Sequence, residues 1–324
     1  MNNGGYGFSY LQRDAGTRAS SMGGAYTAIV NEPTGLFYNP AGVAFLPDQS
    51  TITTSVNNLG LGRSHATLAW GESISETVGI GFGINSFNSG AFQGTDIRGN
   101  STQELQDWQY SFNLALAYMK DNVSIGISAK YLKQNLFGSD INSQGIALDI
   151  GTRFDLFEMV SIGMSVQNLA SVKINREFDE RSGVLETIPW SVRAGLAMEF
   201  GLNEKYISRR SPETGKLEQI YMPPTEYILI SLDAVQYQFD ANPQFQLGIE
   251  ALPDERIALR AGFTIMGFDD DDYQFLPMTN WGAGVSFRPS FEFLPFGLFL
   301  DYTVAREYVI NSGISHNIGF MLEF

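Results

Sequence analysis

Hydrophobic and polar residues alternate along most of the chain from Ile52 onward. In the segment 108–118 every even-numbered position is aromatic or aliphatic, and the odd-numbered positions are Gln, Ser, Asn and Ala. The segment 190–200 repeats this pattern with small or polar residues between large apolar ones. Side chains of a β-strand point alternately to the two faces of its sheet. The pattern therefore predicts strands that have one apolar face and one small or polar face.

Such segments recur at the length of about ten residues that a tilted strand needs to cross a bilayer. The predicted strands lie at residues 50–59, 63–71, 77–87, 105–119, 122–136, 143–155, 159–169, 187–200, 226–239, 244–252, 256–267, 279–288, 295–306 and 313–324. They are fourteen in number, and bacterial single-chain barrels have even strand numbers.

The connections fit a barrel whose first strand runs outward. The outer loops would then include 88–104, 170–186 and 268–278, whereas most inner turns are short, as bacterial barrels require. One inner connection, 201–225, is long and would form an excursion on the periplasmic side.

Soluble β-sandwiches and small barrels also alternate, so the composition of the two faces decides between them and a membrane barrel. In a soluble barrel the apolar face is the core and charged residues dominate the outside. Here the other face is mostly Gly, Ala, Ser, Thr, Asn and Gln, which favours an enclosed lumen, and aromatics such as Trp108 and Trp190 lie near segment ends, as in interfacial girdles. We therefore predict an all-β fold, a 14-stranded antiparallel transmembrane β-barrel over residues 50–324, with the apolar face in lipid.

Residues 14–47 break the alternation and are rich in small residues, Gly and Pro. Asp14 is a candidate cap for a short helix over 15–22, and the Gly-Gly pair at 23–24 permits a tight turn. A segment with apolar residues to bury and no strand pattern is expected to fold into the lumen. We predict that residues 1–49 form a small helical plug, or hatch, whose site-forming residues are Met22, Gly23, Gly24, Tyr26, Phe37, Asn39, Pro40, Ala41 and Gly42.

Composition narrows the possible functions. The chain has 20 Lys and Arg against 35 Asp and Glu, a net charge of −15, which makes nucleic acid an unlikely partner. It has no Cys, which excludes thiol chemistry and thiolate metal sites. No run of about 20 apolar residues predicts a membrane-spanning helix. The first residues lack the basic and apolar regions of a signal peptide, so any export signal is expected to have been removed.

The chemistry-bearing residues do not predict an enzyme. His65 and His316 are the two histidines, and neither accompanies a recognisable nucleophile motif, so both are interpreted as isolated rim or lumen residues. Four carboxylates, Asp269, Asp270, Asp271 and Asp272, fall in an outer loop and form a weak candidate site for Ca²⁺. Their spacing does not match an EF-hand, and acidic loops are usually solvated, so we expect no metal and no cofactor beyond bound lipid or detergent.

Charged residues on the predicted lumen face are more informative, because charges away from bulk water need partners. Two interpretations remain open: a salt-bridge network that holds the plug, and a polar constriction that orients the head group of a ligand. The residues are Lys130, Asp149, Arg153, Arg193, Glu199, Asp233, Glu250, Arg260, Arg288 and Asp301.

The last strand carries apolar residues on one face and ends the chain on Phe. This ending is similar to the C-terminal signature that the outer-membrane assembly machinery of Gram-negative bacteria recognises. The resemblance implies an assembly signal at Phe320, Leu322 and Phe324.

The stretch RASSMGGAYTA at 18–28, followed by YNPAG at 38–42, resembles the opening of the PorV/PorQ family of outer-membrane proteins. That family is similar in turn to FadL-like transporters of long-chain fatty acids, which have an N-terminal hatch with an Asn-Pro-Ala element. The resemblance implies an integral protein of the Gram-negative outer membrane, in contact with lipid. Secretion-dedicated members carry a Lys after Asn-Pro-Ala, where this chain has Gly42.

Two functions follow from the resemblance. The first is a barrel that docks protein partners of type IX secretion through its outer loops or the periplasmic 201–225 segment. The alternative is a passive channel for the uptake of small hydrophobic molecules. In FadL-like barrels a bend in the third strand is associated with a lateral opening, and Gly79, Gly81 and Gly83 are candidates for such a bend here.

Overall fold

The computed structural model describes residues 8–47, 49–139, 142–157, 159–171, 174–176, 184–186, 188–203, 205–210, 217–222, 224–266, 280–289, 296–306 and 313–324. Short helices occupy the N-terminal part and strands the rest. The α-helix α1 spans Thr17–Ser21, and 3-10 helices span Ser9–Gln12, Pro33–Phe37 and Pro40–Phe45. No helix within these described ranges has the length and apolar character needed to span a bilayer.

The strands, in chain order, are β1 Thr51–Gly60, β2 Arg63–Ser75, β3 Val78–Thr95, β4 Ser101–Lys120, β5 Val123–Phe137, β6 Asn142–Leu156, β7 Val160–Ser171, β8 Ile174–Arg176, β9 Val184–Glu186, β10 Ser191–Gly201, β11 Lys205–Arg210, β12 Leu217–Met222, β13 Tyr227–Tyr237, β14 Gln244–Asp254, β15 Ile257–Met266, β16 Asn280–Phe287, β17 Gly297–Arg306 and β18 Ile314–Glu323.

Fourteen of these strands close into one antiparallel barrel, in the order β1-β18-β17-β16-β15-β14-β13-β10-β7-β6-β5-β4-β3-β2. The seam joins β1 to β18 with Thr51 opposite Glu323 and Asn58 opposite His316. Each predicted strand corresponds to one strand of this barrel, so the predicted fold is confirmed. The remaining strands form two small hairpins, β8 with β9 and β11 with β12.

The two faces of the wall are oriented as the alternation predicts. Leu114 is 65% exposed and Val192 is 40% exposed on the outside of the barrel, whereas Ser111 and Arg193 on the inward face are 0% and 4% exposed. Each strand thus places large apolar side chains outward and small or polar side chains inward. The outer surface of the barrel is an apolar belt, which is the surface that a lipid-facing wall requires.

Three connections between barrel strands contain more β-structure than predicted. The predicted outer loop 88–104 is wrong, because β3 and β4 stay paired as far as Thr95 opposite Ser101. A bulge beside Gly90, whose φ is +70°, and polar residues on both faces remove the alternation there without ending the hairpin. The long connections 170–186 and 201–225 contain the hairpins β8–β9 and β11–β12. The predicted loop 268–278, with Asp269, Asp270, Asp271 and Asp272, lies outside the described residues.

The N-terminal segment is helical only in short pieces. Helix α1 is capped by Gly16, with φ of +91° and no side-chain hydrogen bond, so the prediction that Asp14 caps it is wrong. The predicted turn at Gly23 and Gly24 is confirmed, since both have positive φ, +62° and +83°. Only glycine adopts this left-handed backbone at no steric cost.

The barrel has an inner end, where β1 begins and β18 finishes, and an opposite outer end. The short turns 121–122 and 157–159 belong to the inner end, as predicted. Residues 8–47 lie inside the barrel and are called the plug below. The plug contacts the inward faces of strands on all sides of the wall.

Candidate functional site

The plug follows the inner wall in one direction. Thr17 lies against β18, Ser20 against β16, Met22 against β15 and β14, and Thr27 against β10 and β7. The later part continues the same way. Asn39 lies against β6, Pro40 and Ala41 against β5, Val43 against β3, and Leu46 against β2. Residues 16–28 and 39–46 therefore follow the strands in reverse order, whereas Pro33–Phe37 crosses the lumen to β1–β4 between these two parts.

Inward-facing glycines make this close approach possible. A Cβ at Gly248 would lie 2.8 Å from the Met22 carbonyl oxygen, and a Cβ at Gly79, Gly126, Gly163 or Gly262 would overlap the plug backbone itself. Plug backbone thus packs on wall backbone with no side chain between them. We call these residues the glycine belt: Gly71, Gly79, Gly81, Gly83, Gly126, Gly151, Gly163, Gly195, Gly248, Gly262, Gly282, Gly284 and Gly319.

The belt changes the interpretation of Gly79, Gly81 and Gly83. These residues stay paired to both neighbours, with Gly81 opposite Gly71 on β2 and opposite Ala115 on β4. They make room for Val43, Leu36 and Phe37 of the plug. The wall is therefore closed at these glycines, and a bend of β3 there stays a prediction.

A buried group of four charges joins the plug to the wall. Arg18 donates from Nε to Glu250 Oε2 at 2.8 Å and from Nη2 to Glu250 Oε1 at 2.7 Å. Arg260 also pairs with Glu250 and extends to Asp301 at 3.4 Å, with Ser286 hydrogen-bonded to both Arg260 and Asp301. Glu250 is 0% exposed. Its charge is therefore stabilised by two guanidinium groups rather than by water.

The ionisation of Arg18 follows from this arrangement. Burial by itself would lower the Arg18 pKa, but the attractions of Glu250, Tyr26, Tyr227 and Glu32 together outweigh burial, and the pKa is raised well above its ordinary value. Arg18 thus stays charged inside the lumen. Arg18 is absent from the predicted site residues although it begins the stretch that carries the family resemblance.

Two further side chains tie the plug to the wall. The Asp233 carboxylate accepts from the backbone N–H groups of Tyr26 and Thr27 at 3.0 and 2.8 Å. The Asn39 amide donates to the carbonyls of Thr27 and Thr152, both at 3.0 Å, and its oxygen accepts from Ala41 N–H at 3.2 Å. Asn39 therefore caps the 3-10 helix that begins at Pro40 and fixes that helix to β6.

The other predicted lumen charges have separate environments. Lys130 pairs with Asp149 at 2.8 Å and also donates to Asn168. Arg193 donates to Gln167 and Tyr237, and its guanidinium carbon lies 5.2 Å from the centre of the Tyr38 ring. These groups face the lumen on the outer side of the plug.

Three predicted lumen charges lie near the inner end. Arg153 packs 4.0 Å over the Phe45 ring and pairs with Asp155 at 2.9 Å. Glu199 is half-buried beside them. Arg288 follows the last residue of β16, and its side chain is 46% exposed. Its guanidinium lies against Glu323 and the Phe299 ring at the inner rim, and its membership of a lumen charge network stays a prediction.

The predicted plug residues are all inside the barrel. The Tyr26 and Tyr38 rings meet edge to face at 5.3 Å, and burial raises the pKa of both phenols well above the ordinary value. A Cβ at Gly42 would lie 2.6 Å from the Val30 side chain and closer still to its carbonyl oxygen. This contact explains why Gly rather than Lys follows Asn-Pro-Ala here. The full set placed in the lumen is Met22, Gly23, Gly24, Tyr26, Phe37, Asn39, Pro40, Ala41 and Gly42.

The two histidines do not form one site. They lie on strands that flank β1, but His65 is 3% exposed on the inward face, whereas His316 is on the outward face beside Tyr302, whose hydroxyl is 2.7 Å from Nδ1. The barrel wall separates them. Within the part of the chain that the structure describes, no group of three or more His, Cys, Asp or Glu is placed to hold a metal ion.

The predicted assembly signal lies on the last barrel strand. Phe320 is 45% exposed and Phe324 is 53% exposed on the outside, and Leu322 is half-buried between them. Phe324 packs against Phe296 with ring centres 5.7 Å apart. The Phe320 and Phe324 rings thus belong to the apolar outer surface of the barrel, at its inner end.

Three cavities surround the plug. Two on its outer side have volumes of about 10 and 20 Å³, share Leu11 and Lys130, and have walls of both polar and apolar residues. The third is at the inner end and has a volume of about 380 Å³. Tyr38, Asn39 and Ala41 of the plug are buried. The plug fills the lumen at that level.

Comparison with known proteins gives a fold and no sequence family. A scan against protein-family models finds no match. A search of curated proteins finds none either. Solved structures do match: the toluene transporter TodX of Pseudomonas putida has a TM-score of 0.60 at 11% identity, covering 96% of this chain and 98% of that one.

Two further solved structures have the same architecture. A FadL homologue of Pseudomonas aeruginosa has a TM-score of 0.53 at 11% identity, covering 95% of this chain and 97% of that one. The toluene transporter TbuX of Ralstonia pickettii has a TM-score of 0.50 at 12% identity, with coverage of 95% and 97%. The fold is thus that of FadL-like barrels. Membership of the PorV/PorQ family stays a prediction.

Proposed function

We propose that this protein is an integral channel of the Gram-negative outer membrane that admits small hydrophobic molecules, with the plug as its closed gate. The observation that carries the proposal is an apolar outer wall around a plugged lumen, in a barrel that matches the toluene transporter TodX over nearly the whole of both chains. The apolar belt would contact membrane lipid. The solved structures with this fold favour uptake over partner docking.

The closed lumen defines what such a channel must do. Plug and wall backbones touch along the glycine belt, so a hydrocarbon passes only when part of the plug moves away from the wall. This requirement gives the proposal a direct test, because the plug can be tied to the wall. A Cβ at Gly195 would lie 3.0 Å from Thr27 Cβ, slightly closer than the 3.5–4.5 Å of a disulfide, and 2.5 Å from Asp233 Oδ1, so the single variant Gly195→Cys is the control for displacement of Asp233.

The test measures uptake of radiolabelled toluene by Gram-negative cells that lack their own hydrocarbon channels. We expect cells that express the protein to take up toluene faster than cells with an empty vector. The double variant Thr27→Cys/Gly195→Cys should lose this gain when oxidised and regain it after reduction. The chain has no other Cys to interfere. Uptake equal to that of the empty vector would contradict the channel function.

The partner-docking role in type IX secretion is the competing prediction. Its docking surfaces would be the outer loops or the 201–225 connection, where β11 and β12 form a hairpin. Purification from native membranes separates the two functions. A stoichiometric protein partner that survives detergent exchange would support docking and count against a channel that acts alone. The absence of enzymatic activity and of a cofactor stay predictions.

A further inference from the structure

The 380 Å³ cavity lies at the inner end, bounded by the plug, by the turn at Asn122 and by the ends of four strands, β6, β7, β10 and β13. A volume of this size holds a small organic molecule, since pockets for such ligands start at about 300 Å³. Its walls come from distant parts of the chain: Ile29 of the plug, Arg153 of β6, Phe157 and Met159 of the next turn, and Glu199 of β10. Neither the predicted plug site nor the four-charge group includes this cavity.

One side of the cavity is apolar and the other is polar. Ile29, Ala197 and Leu229 form a buried apolar surface, to which Phe157 and Met159 add exposed apolar groups. The polar side presents one unpaired donor and one carboxylate acceptor. Arg153 Nη1 is buried, and no hydrogen-bond partner for it lies among the described residues. The half-buried Glu199 carboxylate lines the same cavity and supplies the acceptor.

Phe157 gives a second, independent indication of binding. Its φ is +60°, in the left-handed region that bulky residues rarely adopt, and its side chain is 86% exposed. An exposed aromatic ring at a strained position contributes little to folding, and such outliers concentrate at binding sites. Here the ring forms part of the rim of the cavity.

The charges select the class of ligand. Asp155 pairs with Arg153, and Glu199 adds one more negative charge, so the cavity disfavours a carboxylate or a phosphate. A hydroxyl group can accept from Arg153 Nη1 and donate to Glu199 at the same time. We propose that this cavity is a binding site for small neutral phenols or alcohols, whose apolar body packs against Ile29, Leu229 and Phe157. The inference goes beyond the channel function, because binding here does not require transport.

The test titrates p-cresol, toluene and p-toluate into purified protein in lipid nanodiscs, with isotope-labelled methionine methyl groups observed by NMR. Met159 lies in the cavity wall, and a Met159→Leu variant assigns its signal. We expect p-cresol to shift the Met159 methyl signal saturably. Toluene should bind with an affinity about tenfold lower, because it lacks the hydroxyl group, and p-toluate should give no saturable shift. Equal affinity for p-cresol and toluene, or tighter binding of p-toluate, would overturn the ligand class. Absence of any saturable shift would overturn the site.

Two matched variants separate binding from folding and from partition into lipid. Asn tolerates the left-handed backbone, so Phe157→Asn should keep the melting temperature and weaken p-cresol binding by about fivefold. Leu61→Asn is the control, because Leu61 is also left-handed, with φ of +54°, and 84% exposed, but lies at the outer end. Unchanged p-cresol binding in Phe157→Asn would indicate partition into lipid, and equal loss of affinity in both variants would indicate an effect that is not local to the cavity; either result would contradict the site. A failed toluene uptake assay would leave this result unaffected.

Discussion

The plug is held in two different ways on two arcs of the wall. On strands β13–β18, the polar arc, wall side chains bind the plug directly: Glu250 pairs with Arg18, Asp233 accepts from plug N–H groups, and Thr303 donates to the Thr17 carbonyl at 3.1 Å. On strands β2–β6, the apolar arc, Leu36, Val43 and Leu46 pack against Ala69, Ala115 and Ala117 and against the glycine belt.

The two arcs should differ in which substitutions loosen the plug. A buried ion pair fixes the orientation of the plug relative to the wall, and loss of one partner leaves an uncompensated buried charge. Close backbone packing fixes distance, and any added atom forces the two surfaces apart. Belt glycines such as Gly248 and Gly262 also face the plug on the polar arc, so both arcs should respond to added volume, whereas neutralisation of the plug-binding charges should affect the polar arc. The four predictions below test that contrast by the free energy of plug opening, measured by hydrogen exchange of plug amides, and by protease protection of the plug.

The largest effect is expected on the apolar arc from Gly79→Val. Its side chain would occupy the position of the Val43 carbonyl, and the Gly79 backbone cannot retreat without breaking the ladders to β2 and β4. We expect the free energy of plug opening to fall by more than about 4 kcal/mol and proteases to cleave the plug. The control Ala129→Val adds two of those three carbon atoms at an outward position and should change this free energy by less than about 0.5 kcal/mol. A protected plug in Gly79→Val would refute close packing as the determinant.

The next effect belongs to the polar arc. Glu250→Leu leaves the buried Arg18 without its main partner, and removal of one member of such a pair costs about 3–5 kcal/mol. The double variant Arg18→Met/Glu250→Leu removes both charges and should recover part of that loss, since an apolar pair needs no compensation. If the double variant opens as readily as the sum of the two single variants, the pair is not coupled.

A smaller effect follows from Leu46→Ala on the apolar arc. Leu46 is 5% exposed and fills the space beside Gly71, so truncation should cost about 2–3 kcal/mol. The compensating variant Gly71→Ala adds one methyl group at the wall opposite the truncated side chain and should restore part of the stability. Further destabilisation by Gly71→Ala in the Leu46→Ala background would show that the two residues do not share one contact.

The smallest effect is expected from Thr303→Val on the polar arc. This change deletes one hydrogen bond to the Thr17 carbonyl at nearly constant volume and should cost about 1 kcal/mol. The amides next to Thr17 should show the faster exchange, while those near Val43 keep wild-type rates. Equal acceleration at both places would mean that the arcs open together rather than separately.

The strand pattern of the wall follows from the sequence because its cause is local. In β4 and β10 every second residue is apolar, and each side chain points to the face that the alternation assigns. The extension of β3 and β4 to Thr95 and Ser101 could not be predicted from the alternation, because polar residues occupy both faces there. Asp14 fails as a helix cap because backbone φ at Gly16, which sequence alone does not fix, sets the start of α1.

The site is less predictable because it joins residues that are distant in sequence. The pairing of Arg18 with Glu250 spans 232 residues and depends on where the plug lies in the closed barrel. The cavity beside Phe157 likewise needs the plug and several strand ends together. One signal was available: glycines occupy inward positions in strand after strand, from Gly71 to Gly319. Repeated glycine on one face indicates that another backbone lies against it.

The circular course of the plug has a consequence for how wide an opening can be. Most sectors of the lumen are sealed by one short piece of chain, and the sector of β2 and β3 is sealed by two, Pro33–Phe37 and Pro40–Phe45, so lifting one piece leaves the neighbouring pieces attached. The free energy of plug opening then rises step by step with the number of sectors that are lifted, as it does in local unfolding. The aperture should accordingly be graded: narrow permeants need one sector to lift, and bulkier ones need two or more.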